Sequence, residues 1–198
     1  MKVSKPEEDF QFIAGNVALD FVNTVGNRLG NSREMLPTAA EFNRWSKLAG
    51  LLRKNVRLTI TDYQLRDIRK TREELYRLFH SIASGSQIST RHLRELNLRL
   101  SSVASKHRLG LEKGAVVWEW EPATNDPASV LGPILLSAAE LLSSGLFHKI
   151  RECNGEMCGW LFLDCSQAGK RRWCSMRDCG NRSKVRAFYN RQKNEGFM

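Results

Sequence analysis

Cys153-Asn-Gly-Glu-Met-Cys158 and Cys174-Ser-Met-Arg-Asp-Cys179 are two Cys-x4-Cys pairs, separated by Gly159-Trp-Leu-Phe-Leu-Asp164 and by Arg171-Arg172-Trp173. Four thiolates in two close pairs suit a single tetrahedral zinc ion, which takes soft ligands and has no redox chemistry of its own. Each pair would occupy one knuckle of backbone, and the segment between would bring the knuckles together. Free thiols are one competing explanation, and a disulfide framework is the other. The latter requires an oxidising compartment, and the N-terminus, Met1-Lys-Val-Ser-Lys-Pro-Glu-Glu-Asp-Phe10, lacks the apolar stretch of a secretory signal. Cys165 makes the cysteine count odd and fits neither pair; it reads as a packed or free thiol, with an alternative ligand as the lesser reading.

Outward from this stretch, the 198 residues suffice for one domain or for a domain plus a small module. The composition is 41% hydrophobic, enough for a packed core, with a formal net charge of +10. The charge is uneven. From His148 to Met198 there are eleven Lys+Arg against five Asp+Glu, more than half the excess in a quarter of the chain. That bias favours a polyanionic partner for the C-terminal module over a merely solvated surface. No run is long and apolar enough to span a bilayer, so a cytoplasmic protein without a membrane partner is expected.

The preceding 147 residues read as mainly helical. Asn16 can cap a helix running to about Leu29, with Leu19, Val22, Val25 and Leu29 on one face. Asp20, Asn23 and Thr24 interrupt its apolar character. They are either satisfied structural polar groups or the lining of a pocket or support of a nearby loop. Thr38 with Glu41 and Thr61 with Gln64 form capping boxes. The first opens a helix with the stripe Phe42, Trp45, Leu48, Leu52. The second opens a helix to about Ser84 with Leu65, Ile68, Leu75, Phe79 and Ile82 inward, and Arg66, Arg69, Lys70, Arg72 and Arg77 mostly outward. Ser89 or Thr90 caps a fourth helix with Leu93, Leu96, Leu100 and Val103 inward. The period then shifts to two: Val116, Trp118 and Trp120 alternate with Val117, Glu119 and Glu121 in a half-buried strand, paired with 107–111 across Glu112-Lys113-Gly114. Asp126-Pro127 opens a fifth helix, apolar on most sides, which Gly132-Pro133 should bend or divide.

The scattered histidines form no ligand set, and His148 is at most a neighbour of the metal site. No phosphate loop, serine elbow or nucleophile pair is present, and a four-cysteine zinc site has no open coordination position, so an enzyme is not expected. After the first knuckle, Trp160–Asp164 should be a strand, Gln167–Lys170 a turn and Arg171–Cys174 the return strand. A basic helix should follow from about Gly180 to Lys193. Arg182, Arg186, Tyr189 and Lys193 fall on one stripe, Val185 and Phe188 beside it, Lys184 and Arg191 opposite. With Arg171 and Arg172 these cations form the candidate nucleic-acid surface. Arg182 has a second role open to it, buffering the charge of a thiolate centre.

Cys179-Gly180-Asn181-Arg182, preceded by Arg171-Arg172-Trp173-Cys174-Ser175-Met176 and by Arg151-Glu152-Cys153 and Cys158-Gly159-Trp160-Leu161-Phe162-Leu163-Asp164, resembles the CGNR zinc finger signature. Leu19-Asp20-Phe21-Val22-Asn23-Thr24 resembles the opening motif of the ABATE domain that precedes such fingers. The resemblance implies a bacterial, stress-induced transcription regulator whose finger contacts DNA, with Cys153, Cys158, Cys174 and Cys179 as ligands of one structural zinc. The expectation is therefore a mainly α (α+β) protein. Residues 1–147 form a helical ABATE-like domain with a small β-hairpin, and 148–198 a treble-clef-like CGNR module that packs against it. DNA is the expected partner; a small-molecule or protein effector on the N-terminal domain and a homodimer are the further partners considered, the latter without a heptad seam to support it. Binding of RNA through Trp160, Trp173 and Tyr189, and a zinc-stabilised protein-interaction module, are the alternatives.

Overall fold

Six helices and three two-stranded antiparallel sheets make up the computed structural model, which describes residues 10–120 and 125–195. The centre is α5, Ala128–Ser143, buried along much of its length because twelve of its sixteen residues are apolar. Asp126 accepts from the Ala128 amide at its start, and Gly145, at φ +71°, follows its end. Gly132-Pro133 does not divide the helix, which is continuous through Pro133. Gly132 has a packing role instead. A Cβ there would lie 1.9 Å from the Trp120 ring, so only glycine lets that indole rest on the helix.

Against α5 pack α1, Val17–Val22, and α4, Thr90–Val103, and α3, Asp62–Ala83, packs on both of these. Asn16, Thr61 and Ser89 cap them, and the Thr61/Gln64 box is complete. In α2, Ala39–Leu48, Thr38 caps Glu41, but the Glu41 carboxylate turns to Arg44 instead of reaching back. Phe42, Trp45 and Leu52 are buried as expected, whereas Leu48 is exposed. Successive i+3 steps drift about 60° each, which carries residue 48 off the face where Asn43 and Ser46 replace it.

The first helix is much shorter than its apolar pattern predicts. It stops at Val22, and the chain turns into β1, Val25–Gly26, paired with β2, Arg33–Glu34. Leu29 is consequently exposed. Arg72, expected on the outside of α3, is 3% exposed. Its guanidinium grips both oxygens of Glu34 at 2.6 and 2.7 Å, and Nε reaches Glu73. This buried pairing locks the β1–β2 ribbon to α3 and holds the Glu34 carboxyl below its usual pKa against the opposing desolvation.

The hairpin of β3, His107–Glu112, and β4, Ala115–Trp120, turns through Lys113 and Gly114, both at positive φ. Only its base packs on the core, where Trp120 is half-buried; Trp118 and Val116 are exposed, contrary to expectation. Glu121 lies outside the described residues. In the C-terminal module the ladder joins β5, Ile150–Glu152, to β6, Leu161–Leu163, across the first knuckle. The stretch 171–174 is no return strand; it touches the knuckle through Asn154 N to Arg172 O. After a single wide turn closed by Gly180 N to Ser175 O, α6 runs Asn181–Glu195.

Candidate metal centre

Strand β5 delivers Cys153, and Gly155 allows the knuckle to fold tightly enough to return Cys158. A Cβ on residue 155 would come within 3.1 Å of the Cys179 sulfur. The wide turn before α6 brings Cys174 and Cys179 opposite. All four Sγ atoms lie within 4.8 Å of one another, and the Cys158–Cys174 and Cys174–Cys179 separations are both 3.6 Å. A zinc ion with Zn–S bonds of about 2.3 Å would set tetrahedral edges of about 3.8 Å, close to these values. Cys153, Cys158, Cys174 and Cys179 are all buried.

The surroundings also fit a thiolate centre. The amides of Gly155 and Cys174 point at Cys153 Sγ, and Arg182 Nη2 donates to Cys179 Sγ at 3.4 Å. Sulfur–sulfur hydrogen bonding splits the thiol titrations. Cys153 is drawn down to about 7 chiefly by Cys158, and Cys179 is lowered chiefly by Cys153, whereas Cys158 and Cys174 are raised, each chiefly by Cys153. Four buried sulfurs cannot all ionise side by side unless a cation compensates them, and one structural zinc ion supplies that charge. Cys165 is exposed and outside the cluster. His148 is exposed, packs its ring edge on Phe147, and is not among the clustered ligands.

The polar residues of the α1 motif hold the centre from behind. Asn23 donates from Nδ2 to Leu161 O at 2.8 Å and accepts from Leu161 N at 2.9 Å, pairing with β6 as a neighbouring strand would. Asp20 accepts from the Ala14 amide, and Ala14 O in turn accepts from Leu163 N. Burial pushes the Asp20 carboxyl up to about 6 against the pull of the Ala14 and Ile13 amides. Thr24 donates to Phe21 O and receives Arg72. Each of these three buried side chains is satisfied by the chain itself, as a structural polar group is.

A second clasp comes from the β1–β2 loop. The amides of Arg28 and Leu29 donate to the carbonyls of Cys158 and Met157 at 3.0 and 3.3 Å. Arg28 itself lies over the Tyr76 ring and bonds to Glu73 and Val22 O. No sequence signal marks this clasp, because a cation in a Gly/Asn-rich loop resembles any solvated turn.

The candidate nucleic-acid residues divide into two groups. Arg171 is committed inside the protein: it bonds to the carbonyls of Trp173, Cys174 and Ile13 and lies 4.3 Å over the Phe162 ring, which corrects its expected place on an outer surface. Arg182 serves Cys179. Arg172 is exposed above Trp173. Lys184, Arg191 and Lys193 are exposed on α6, and Arg186 pairs with Glu156 of the knuckle. Val185, Phe188 and Tyr189 are more than half exposed, so these apolar side chains of α6 are not buried against the finger.

Two family models match the chain in succession. Residues 15–145 match ABATE, described as "Putative stress-induced transcription regulator", and residues 149–192 match the CGNR zinc finger. No curated protein matches the sequence. Neither family is an enzyme family, and among the described residues no helix is long and apolar enough to cross a membrane. With its helical body and its buried quartet of cysteines, this chain belongs to the ABATE family and carries a CGNR zinc finger at its C-terminal side.

Proposed function

We propose that the protein is a transcription regulator that grips DNA through α6, with zinc fixing the platform from which the helix projects. The observation that carries this reading is the state of α6. It packs chiefly on the turn before it, while Lys184, Arg191 and Lys193 stand exposed around its surface. Exposed cations on a projecting helix suit phosphate contact, whereas burial would have removed them. Arg172 extends the positive surface toward the finger. Arg171 and Arg182 take part only indirectly, by shaping the knuckle and stabilising its sulfur charge. A stacking platform for single-stranded RNA is disfavoured: Tyr189 is 64% exposed, but Trp160 is half-buried with Nε1 bonded to Val25 O.

The test is binding of the zinc-loaded chain to genomic DNA fragments across a salt series, beside a Lys184/Arg191/Lys193→Ala variant. Affinity should fall as salt rises. The log–log slope of the variant should be shallower by about 2–3, at about 0.9 for each phosphate it no longer neutralises. A folded, zinc-loaded sample that does not bind at low salt, or whose binding ignores salt, would defeat the reading and favour an acidic protein partner for α6.

A further inference from the structure

The β3–β4 hairpin carries an apolar face that no other described residue covers. The register places Leu111 opposite Val116 and Leu109 opposite Trp118, so the four side chains rise from the same face. They are 76%, 67%, 62% and 59% exposed respectively. Charge is segregated to the reverse face, where Arg108 and Glu119 pair at 3.6 Å and the Glu119 side chain lies over Gly110. The base is anchored: the His107 ring sits 4.7 and 4.8 Å from those of Trp118 and Trp120, and Trp120 rests on Gly132 of α5. The distal half has no such support, and a two-stranded ribbon without a covered face is marginal in water.

We infer that this face is the contact between two copies of the chain, hairpin against hairpin about a two-fold axis. Three observations favour a second copy over a different partner. The patch is free of charge, so a polyanion or an acidic peptide has nothing to grip, although the chain carries +10 overall. It is apolar on both strands, Leu and Leu facing Val and Trp, so it can meet its own image as an isologous contact requires. The area is adequate. Four side chains at these exposures present on the order of 500 Å² of apolar surface, near the top of the ~300–600 Å² that monomers leave open. Doubled across a two-fold axis, this reaches the ~1,000 Å² at which specific interfaces begin. The contact is thus a weak, reversible dimer that leaves α6 of each copy exposed.

Sedimentation equilibrium of the zinc-loaded full chain, from low to high micromolar concentration, tests it. The 22.6 kDa chain should pass from monomer to dimer across this range. Leu111→Glu sets a carboxylate against its symmetry mate and should weaken association at least about 100-fold. Val116→Thr, a milder change that leaves the strand intact, should weaken it about tenfold, which covers the case in which Leu111→Glu disturbs folding. The reverse-face variant Arg108→Ala/Glu119→Ala should associate as the parent does. A chain that stays monomeric throughout, or a dimer that survives both face variants, or one equally weakened by the reverse-face variant, would overturn the inference.

Discussion

The two halves of the CGNR finger, contiguous in sequence, differ in every physical respect. Residues 149–180 are built into the protein: Cys153, Cys158, Leu161, Phe162, Cys174 and Cys179 belong to the same buried cluster as the helices. Residues 181–193 lie on a helix exposed on nearly all sides. The knuckle half therefore uses metal, N-terminal motif and loop as one structure, while α6 depends on the rest only for its starting direction. A compact family signature can thus contain a foundation and an appendage, and substitutions should affect the two very differently.

The greatest effect should come from removing the metal. Because the thiolate cluster shares a core with α1 and α3, chelation or Cys174→Ser should destabilise the N-terminal helices as well as the finger. Structural zinc in small domains is worth about 10 kcal/mol or more of apparent binding energy. A calorimetric transition shifted down as a single unit is expected; an unchanged helical transition after verified zinc loss would show that the two parts fold separately. Next, Asn23→Ala removes two buried hydrogen bonds and strands both polar groups of Leu161. Denaturant unfolding should register a loss of about 2–4 kcal/mol, at about 1–2 kcal/mol per unsatisfied group.

A smaller, pH-dependent effect belongs to Asp20. Its folded-state pKa is raised to about 6 from an ordinary 3.8 by desolvation, so the unfolded chain ionises first as pH rises. The resulting cost is absent below both values, grows between them and is complete above pH 6. Between pH 5 and 7 the chain should lose about 1 kcal/mol on this account, at about 1.36 kcal/mol per unit. The difference between parent and Asp20→Asn unfolding curves at each pH isolates it, since protonation of the zinc ligands affects both alike; a constant difference would contradict the buried-carboxyl account. Smallest of all, Phe188→Ala and Val185→Ala on α6 should change stability by less than about 0.5 kcal/mol, as for ordinary surface positions. A loss above about 1 kcal/mol would mean that α6 is packed in solution and that the contrast between the halves is false.

The features legible in the sequence are those with local chemistry. The cysteine pairs state their own spacing, and Asn16, Thr61 and Ser89 announce helix starts through side chains that reach only two or three residues. The short α1 is not legible, because Leu19, Val22, Val25 and Leu29 fit a helical stripe whether or not Asn23 leaves it to bond β6. Arg72 reads as a solvent-facing cation because charge normally goes there; only the fold brings Glu34 to it. Alternation locates β4 correctly, but it cannot say whether a face with a tryptophan is covered. The knuckle's partners, Asn23 and the Arg28–Leu29 amides, come from the far end of the chain and leave no periodic trace.

Those last two amides also offer a way to watch the site. Both are hydrogen-bonded to carbonyls of the knuckle that carries Cys158, so they can take up deuterium only when loop and knuckle separate. Their exchange rates would serve as a clock on the opening of the thiolate site, read from a loop near the start of the chain without touching a ligand.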